Sequence, residues 1–315
     1  MKARSLLFAL ALVSAAASAQ FPTKPVRVMV PYAPGGGTNI ISRQLAQKLA
    51  EAWGQNVFVE NRAGANGITG TEVVLKSAPD GHNVVVVVAA HVINASLQAS
   101  MPFDPVANVT PITLIARSPW VIVVTPSVPA KDLREFVSYA KANPGKLRFG
   151  SSEPSSRLAG EQFKQLASID LQHVPYKGGS QIMTDMLGGH IETGFTSTLT
   201  VLQHYKSGKL KVIAVAGKAR HPSMPDVATA IEAGYPDYET YAWYGMYAPK
   251  GTPREVVSRI QQEIARIVRL PDMEERLNQF GAEPIASNPE DFSAYTKAEH
   301  DKFAKLVKAA NIQPE

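Results

Sequence analysis

Five valines in succession (84–88), with Ala89 and Ala90 behind them, leave no polar position at which a strand could meet water. A β-branched run of this kind is a strand buried on both faces, and such strands belong to parallel sheets covered by helices on either side. The rest of the sequence supplies the helices. Residues 39–53 set Ile41, Leu45, Leu49 and Trp53 at i+4 spacing ahead of Gly54, which reads as an amphipathic helix with a glycine stop. Strand-like "VRVMVPY" (26–32) and "NVFVEN" (56–61) flank it, and a Gly-rich entry to another short helix follows. Strands alternating with helices define the α/β class.

The stretch "TLIARSPWVIVVTPS" (113–127) reads as one long strand passing from a first unit into a second. The second unit has helical patterns at 130–142, 157–167 and 179–188, and strand patterns at 146–151, 171–176, 191–197 and 209–217. "YAWYGMYAP" (241–249) resembles a second crossing strand, and helices at 253–268 and 291–309 are expected to pack back on the first unit. Two crossings make a discontinuous first domain, 20–122 plus 246–315, and an inserted second domain, 123–245. A cleft between such domains closes on a ligand by hinge motion.

Lys2 and Arg4 precede the apolar "SLLFALALVSAAA", and Ala17-Ser18-Ala19 forms a small-x-small motif. This is the pattern of a secretory signal (1–19) cleaved after Ala19, with the bacterial periplasm as destination. Its removal lowers the formal net charge from +5 to +3. No clustered Lys/Arg stripe is present, so nucleic acid is not an expected partner. Cysteine is absent, which rules out thiol nucleophiles, thiolate metal sites and disulfides. The seven histidines are scattered, with no metal-binding spacing and no nucleophile elbow. Neither a metal, a cofactor nor enzyme activity is expected.

The candidate chemistry lies where strands run into helices. "APGGGTN" (33–39) follows the first strand and opens the first helix. Bare glycine backbone and the positive end of a helix suit an anion. The order G-G-G-T-N-I fails the dinucleotide fingerprint, although Glu60 sits roughly where a ribose-binding acid would, and no G-K-[ST] makes it a phosphate loop. A carboxylate is the preferred anion; a tight turn that binds nothing is the alternative. "FGSSEPSSRLAGEQF" (149–163) repeats the pattern in the second unit. There Ser151 and Ser152 are candidate donors, and Arg157 is a candidate bidentate clamp or a solvated first-turn side chain. Glu153 would repel an anion unless it turns away. His91, after the valine strand, is a candidate donor or a structural histidine. Thr196, near the end of strand 191–197, joins the candidate ligand set. Trp243 and Tyr244 wall the cleft or belong to the core.

With these residues in view, the sequence resembles the Bug family of extracytoplasmic solute receptors, which serve tripartite tricarboxylate transporters. The resemblance runs through "FPTKPVRVMVPYAPGGGTNIISRQLAQKLAEAWGQNVFVENRAGANGITGTEVV", "APDG" (78–81), "MPFDP" (101–105), "YAKANPGKLRFGSS" (139–152), "HVPYKGGSQIMTDMLGGHIETGF" (173–195), "PDVATAIEAGYPDYE" (225–239) and "GMYAPKGTP" (245–253). It implies a two-domain periplasmic binding protein of the flytrap, type II-like form. It further implies a carboxylate ligand between Ala33, Pro34, Gly35, Gly36, Gly37 and Thr38 on one side and Ser151 and Ser152 on the other. Integral membrane transporter subunits are the implied partners, and a monomer is the expected state. A receptor for a membrane signalling protein, or an exported carboxylate-acting enzyme, are the alternatives. The family usually carries Asp where this chain has Asn39, and glycines with a His where it has Glu153-Pro154 and Arg157. A lost anion and a gained Arg would favour a ligand with a second carboxylate, aliphatic or, if Trp243 faces the cleft, aromatic.

Overall fold

The computed structural model describes residues 21–313 except Gly36, Lys177, Gly178 and Phe280, and of Leu199 the backbone. The expected signal segment and its cleavage position lie outside the described residues. Among those residues no helix is long and apolar enough to cross a membrane.

The chain begins with β1 (Val26–Val30), α1 (Gly37–Trp53), β2 (Val57–Asn61), α2 (Ile68–Leu75), β3 (Asn83–Val87) and α3 (Ala90–Leu97). The long strand β4 (Val109–Val124) leads into α4 (Leu133–Ala142), β5 (Leu147–Ser151), α5 (Pro154–Ala167) and β6 (Leu171–Pro175). Then come α6 (Gly179–Leu187), β7 (Thr193–Ser197), α7 (Thr198–Lys206) and β8 (Lys211–Val215). The chain ends with β9 (Tyr241–Pro249), α8 (Arg254–Ile267), α9 (Pro271–Gln279), β10 (Glu283–Pro284) and α10 (Pro289–Ala309).

The strands join in the order β2-β1-β3-β9-β4-β7-β5-β6, with β8 and β10 also paired to β4. β1 lies parallel to β2 and β3, and β5 lies parallel to β6 and β7. β4 changes partner along its length: it pairs with β9 as far as Pro119 and with β7 from Trp120 onward. A proline has no N–H to give a ladder, and here one sits at the step between two sheets. The return crossing lies alongside. Trp120 N–H donates to the Thr240 carbonyl (3.2 Å), and Thr240 N–H donates to the Ala216 carbonyl (3.0 Å). Two lobes are thus joined by two adjacent strands of backbone.

The valine run is buried on both faces as its composition demands, but the sheet is mixed rather than parallel: β3 is parallel to β1 and antiparallel to the crossing strand β9. Val84 and Val86 enter the core under α1 and α8, with Ile41, Leu45, Ile260 and Ile264. Val85 and Val87 enter the opposite core, with Val92 and Ile93 of α3 and Phe292 and Phe303 of α10. Each fully buried valine contributes roughly 1.5–3 kcal/mol of transfer free energy. β4 divides in the same way beyond the crossing: Ile122 and Val124 face one core of the second lobe, Val121 and Val123 the other. The helices expected at 253–268 and 291–309 return to the first lobe as α8 and α10. One local difference has consequences for the site. The strand read as 83–90 stops at Val87, and α3 starts at Ala90, because two alanines favour a helix start over further extension.

Gly245 of β9 lies between Val87 and Leu114 in the sheet and directly beneath the Phe292 ring, which a Cβ there would penetrate. Gly245→Ala is expected to cost about 1–3 kcal/mol of overpacking and to lower the melting temperature by several degrees. Adding Phe292→Leu should restore part of the loss. Thermal unfolding of the three proteins checks it, and an unchanged Gly245→Ala melting point would mean that Phe292 moves aside freely.

Candidate ligand-binding site

A cavity of about 840 Å³ lies between the lobes. Its first-lobe wall is the loop after β1 (Tyr32, Ala33, Pro34, Gly35, Gly37, Thr38) with Val88 and Ala89 after β3. Ser152, Glu153 and Ser155 line it after β5; Gly179, Ser180, Met183, Thr184 and Leu187 come from α6; and Thr196, Ser197, Thr200 and His204 follow from β7 into α7. Trp120, Ala242 and Tyr244 form the floor at the crossing. These are the carboxyl ends of the parallel strands, where open α/β sheets form their crevices. Five helices begin at this wall: α1 and α3 from the first lobe, α5, α6 and α7 from the second. Each helix start carries roughly half a positive charge and unpaired N–H groups. The cavity is therefore electropositive through its backbone, and an anion inside it meets positive helix ends from both lobes.

Local bonds hold both loops in shape. Gly35 adopts φ +89°, a left-handed turn that a side chain would strain, with open space where a Cβ would sit. Its N–H donates to Asn39 Oδ1 (3.3 Å); Asn39 Nδ2 donates to Asn61 Oδ1 (2.8 Å), and Asn61 Nδ2 donates to the Tyr32 carbonyl (3.0 Å). Gly37 packs under Tyr244, where a Cβ would lie 2.7 Å from its hydroxyl. In the second lobe, Ser156 Oγ accepts from the N–H groups of Ser152 (3.1 Å) and Glu153 (3.2 Å) and donates to the Glu153 carbonyl (3.0 Å). The buried indole N–H of Trp120 has no partner among the described residues, which makes it a donor available to whatever enters.

Burial pushes the Glu153 carboxyl up to about 7, against a hydrogen bond from Ser155 that favours its charged form. The hydroxyls of Tyr32 and Tyr244 are held protonated well above the usual phenol range by burial, and the Glu153 charge adds to both shifts.

The expected ligand residues divide. Ala33, Pro34, Gly35, Gly37, Thr38, Ser152 and Thr196 line the cavity, and Gly36 lies outside the described residues. Asn39 stands behind the wall as the brace just described. Ser151 is buried away from the cavity with its hydroxyl 2.7 Å from His173 Nε2. Burial lowers His173 to about 4, with Arg157 and Lys164 adding to the effect, so the histidine is neutral, and neither residue of the pair lines the cavity.

Three placements correct the sequence expectations. Arg157 is not on the wall; it lies about 200° round α5 from Ser155, beside His173, with its Nε buried. His91 is in the core, because α3 begins before it and turns the ring inward. Its Nε2 bonds the Pro105 carbonyl (2.9 Å), its ring stacks on Tyr247 (4.9 Å between centroids), and burial lowers it to about 4. Trp243 is fully buried and donates to Glu299 Oε2 (3.3 Å). Alternation along β9 faces Ala242 and Tyr244 to the cavity and Trp243 to α10.

Several wall residues went unread. Trp120 sits in an apolar run that signals only a strand. Tyr32 carries no cue beyond its place after β1. The small polar residues of α6 and α7 have no signature, although Thr-Ser-Thr at a strand end was a helix-start signal.

Comparison with known proteins places this architecture. Residues 41–312 match the model of the tripartite tricarboxylate transporter family receptor. Protein BugT of Bordetella pertussis is 30% identical over 91% of this chain and 90% of its own. A Rhodopseudomonas palustris structure described with adipate is 30% identical, with a TM-score of 0.83 over 94% of this chain and 100% of its own. MatC from the same organism, with bound malate, is 28% identical, with a TM-score of 0.77 over 91% of this chain and 100% of its own. The fold is that of the periplasmic binding proteins.

Glu153 also predicts a pH dependence of stability. Its folded carboxyl holds a proton to about 7, against a reference value of 4.5. Folding therefore takes up a proton between those values, and stability falls as pH rises through the window. Glu153→Gln removes the site. Its stability relative to wild type should rise between pH 4.5 and 7, by at most about 1.4 kcal/mol per pH unit, and level off above. Denaturant unfolding at pH 4.5, 6 and 8 measures it; a difference independent of pH would place Glu153 in contact with bulk water.

Proposed function

From the premise that this chain belongs to the tripartite tricarboxylate transporter receptor family, we propose that it captures a small organic carboxylate in the cavity between its lobes. It then presents that acid to the integral membrane subunits of such a transporter, working in the periplasm as a monomer. The observation that carries this reading is the convergence of five helix starts on one cavity. The adipate and malate of the two structural relatives supply the ligand class.

The roles follow from position. The Gly35–Thr38 turn offers backbone N–H groups and the α1 start to one carboxylate. Ser152, Thr196 and Trp120 Nε1 offer donors from the second lobe and the crossing. With ligand bound, the lobes approach by twisting at the two adjacent backbone crossings. Binding proceeds without turnover. The serine–histidine pair described above lies off the cavity wall, with its serine buried and its histidine neutral.

A thermal-shift panel of mono-, di- and tricarboxylates and acidic amino acids, at fixed pH and salt, tests the reading. A ligand at about 100 times its dissociation constant should stabilise the fold by roughly 2.7 kcal/mol, a shift of several degrees. Gly35→Ala strains the left-handed turn by roughly 1–2 kcal/mol and should weaken the same ligand about tenfold while the protein stays folded. Silence across the panel, with ligand-stripped protein, would overturn the reading. Unchanged affinity in Gly35→Ala would remove the loop from it.

A further inference from the structure

The expectation of a second ligand carboxylate rests on Arg157, which the fold turns off the wall. The acidic side chain that the wall does carry is Glu153, of opposite sign. It occupies the residue before α5 in an extended conformation (φ −159°, ψ 164°), at the second-lobe side of the cavity. Across from it stand Tyr32 and Tyr244 of the first lobe, whose hydroxyls both feel its charge. Ser155 is its hydrogen-bonding neighbour on α5, and His204 of α7 is the remaining titratable group on the described wall. No ion pair to Glu153 forms among the described residues.

We propose that Glu153 selects the far end of the ligand: this receptor takes organic acids whose second polar group is an ammonium or another hydrogen-bond donor, in preference to acids ending in a second carboxylate. The inference deepens the carboxylate-receptor reading and rests on it. The first carboxylate is served by the first-lobe loop and its helix start. A second carboxylate reaching across the cavity meets Glu153, and two carboxylates sharing one site cannot both be ionised without cost. An ammonium in that place gives Glu153 the ion pair that no described residue provides, beside its hydrogen bonds from Ser155 and the α5 start, and a hydroxyl gives it a further donor. Since the Glu153 carboxyl is raised to about 7 by burial, the preference is strongest above neutrality. Below it, protonated Glu153 becomes a donor and tolerates a diacid.

The test compares ligands of matched length on the full mature chain, stripped of bound ligand. The pairs are 6-aminohexanoate with adipate and 4-aminobutyrate with succinate, measured by calorimetry at pH 8 and pH 6. Wild type should prefer the amino acid of a pair by at least about tenfold at pH 8, the range of a hydrogen bond to a charged group, and by less at pH 6. Glu153→Gln should abolish the preference at pH 8 and its pH dependence. Glu153→Asp, which keeps the charge, should retain the direction of preference, and melting curves establish that both variants are folded. Equal or tighter binding of the diacid by wild type at pH 8, or a ratio that Glu153→Gln leaves alone, overturns this inference and leaves the receptor reading standing. Failure of every probe and of the wider carboxylate panel overturns the receptor reading itself.

Discussion

The molecule depends on β4. This one strand contributes to four cores, two on each side of Pro119–Trp120, and every sheet strand beyond β1–β3 and β5–β6 is referred to it directly. Because it passes unbroken from lobe to lobe, the two sheets cannot separate as independent bodies. The return crossing at Thr240 is hydrogen-bonded against it through Trp120 and Ala216. The lobes also meet away from the crossing, where Leu158 of α5 enters the core shared by α3 and α10. The cavity floor, formed by Trp120, Ala242 and Tyr244, lies at the crossing. Crossing and floor are one structure, so anything bound there touches the strands that join the lobes.

Parallel topology then decides the character of the cavity. In each lobe the helix that follows a parallel strand starts at the strand's carboxyl end, and both lobes turn those ends toward each other. Electropositive walls thus arise without a basic side chain for each contact. Glycine and small hydroxyl residues suffice, because the backbone supplies the field and the side chains only need to keep out of the way. Gly37 beneath Tyr244 and Gly67 beneath Tyr32 show the second requirement, each yielding space to a tyrosine that lines the cavity.

The same reasoning explains what could be read from the chain alone. Sidedness is periodic, so the valine strand, the α1 and α8 faces and the long crossing strand were all legible. Phase is not. Alternation along β9 guarantees that Trp243 and Tyr244 face opposite ways but does not say which meets the ligand, and the candidate placed there turned out to be the core residue. His91 failed for a related reason: the strand was read three residues too long, and the helix that starts at Ala90 turns the ring into the core. Arg157 was a matter of rotation about α5, which a single turn past a proline start does not define. Trp120 was concealed by its neighbours, since an indole within "PWVIVV" has the pattern of core whether or not its N–H looks onto a cavity.

Asn39 and Glu153 stand on opposite sides of the site, one behind the first-lobe loop and one on the second-lobe wall. Asn39 accepts the Gly35 N–H while donating to Asn61; a carboxylate could do the first but not the second. Arg43 donates to both amide oxygens, at 3.3 Å to Asn39 and 3.4 Å to Asn61, and so its charge is not neutralised by an acid at position 39. The first-lobe loop therefore keeps a positive background under the turn that would hold an anion. Glu153 brings a carboxyl that ionises only near 7 to the facing wall of the second lobe. A symmetric electropositive cleft receives an anion in either sense; on the proposed role of Glu153, its ionised form gives this cleft a negative end, and a ligand with its own polarity would fit it in one orientation.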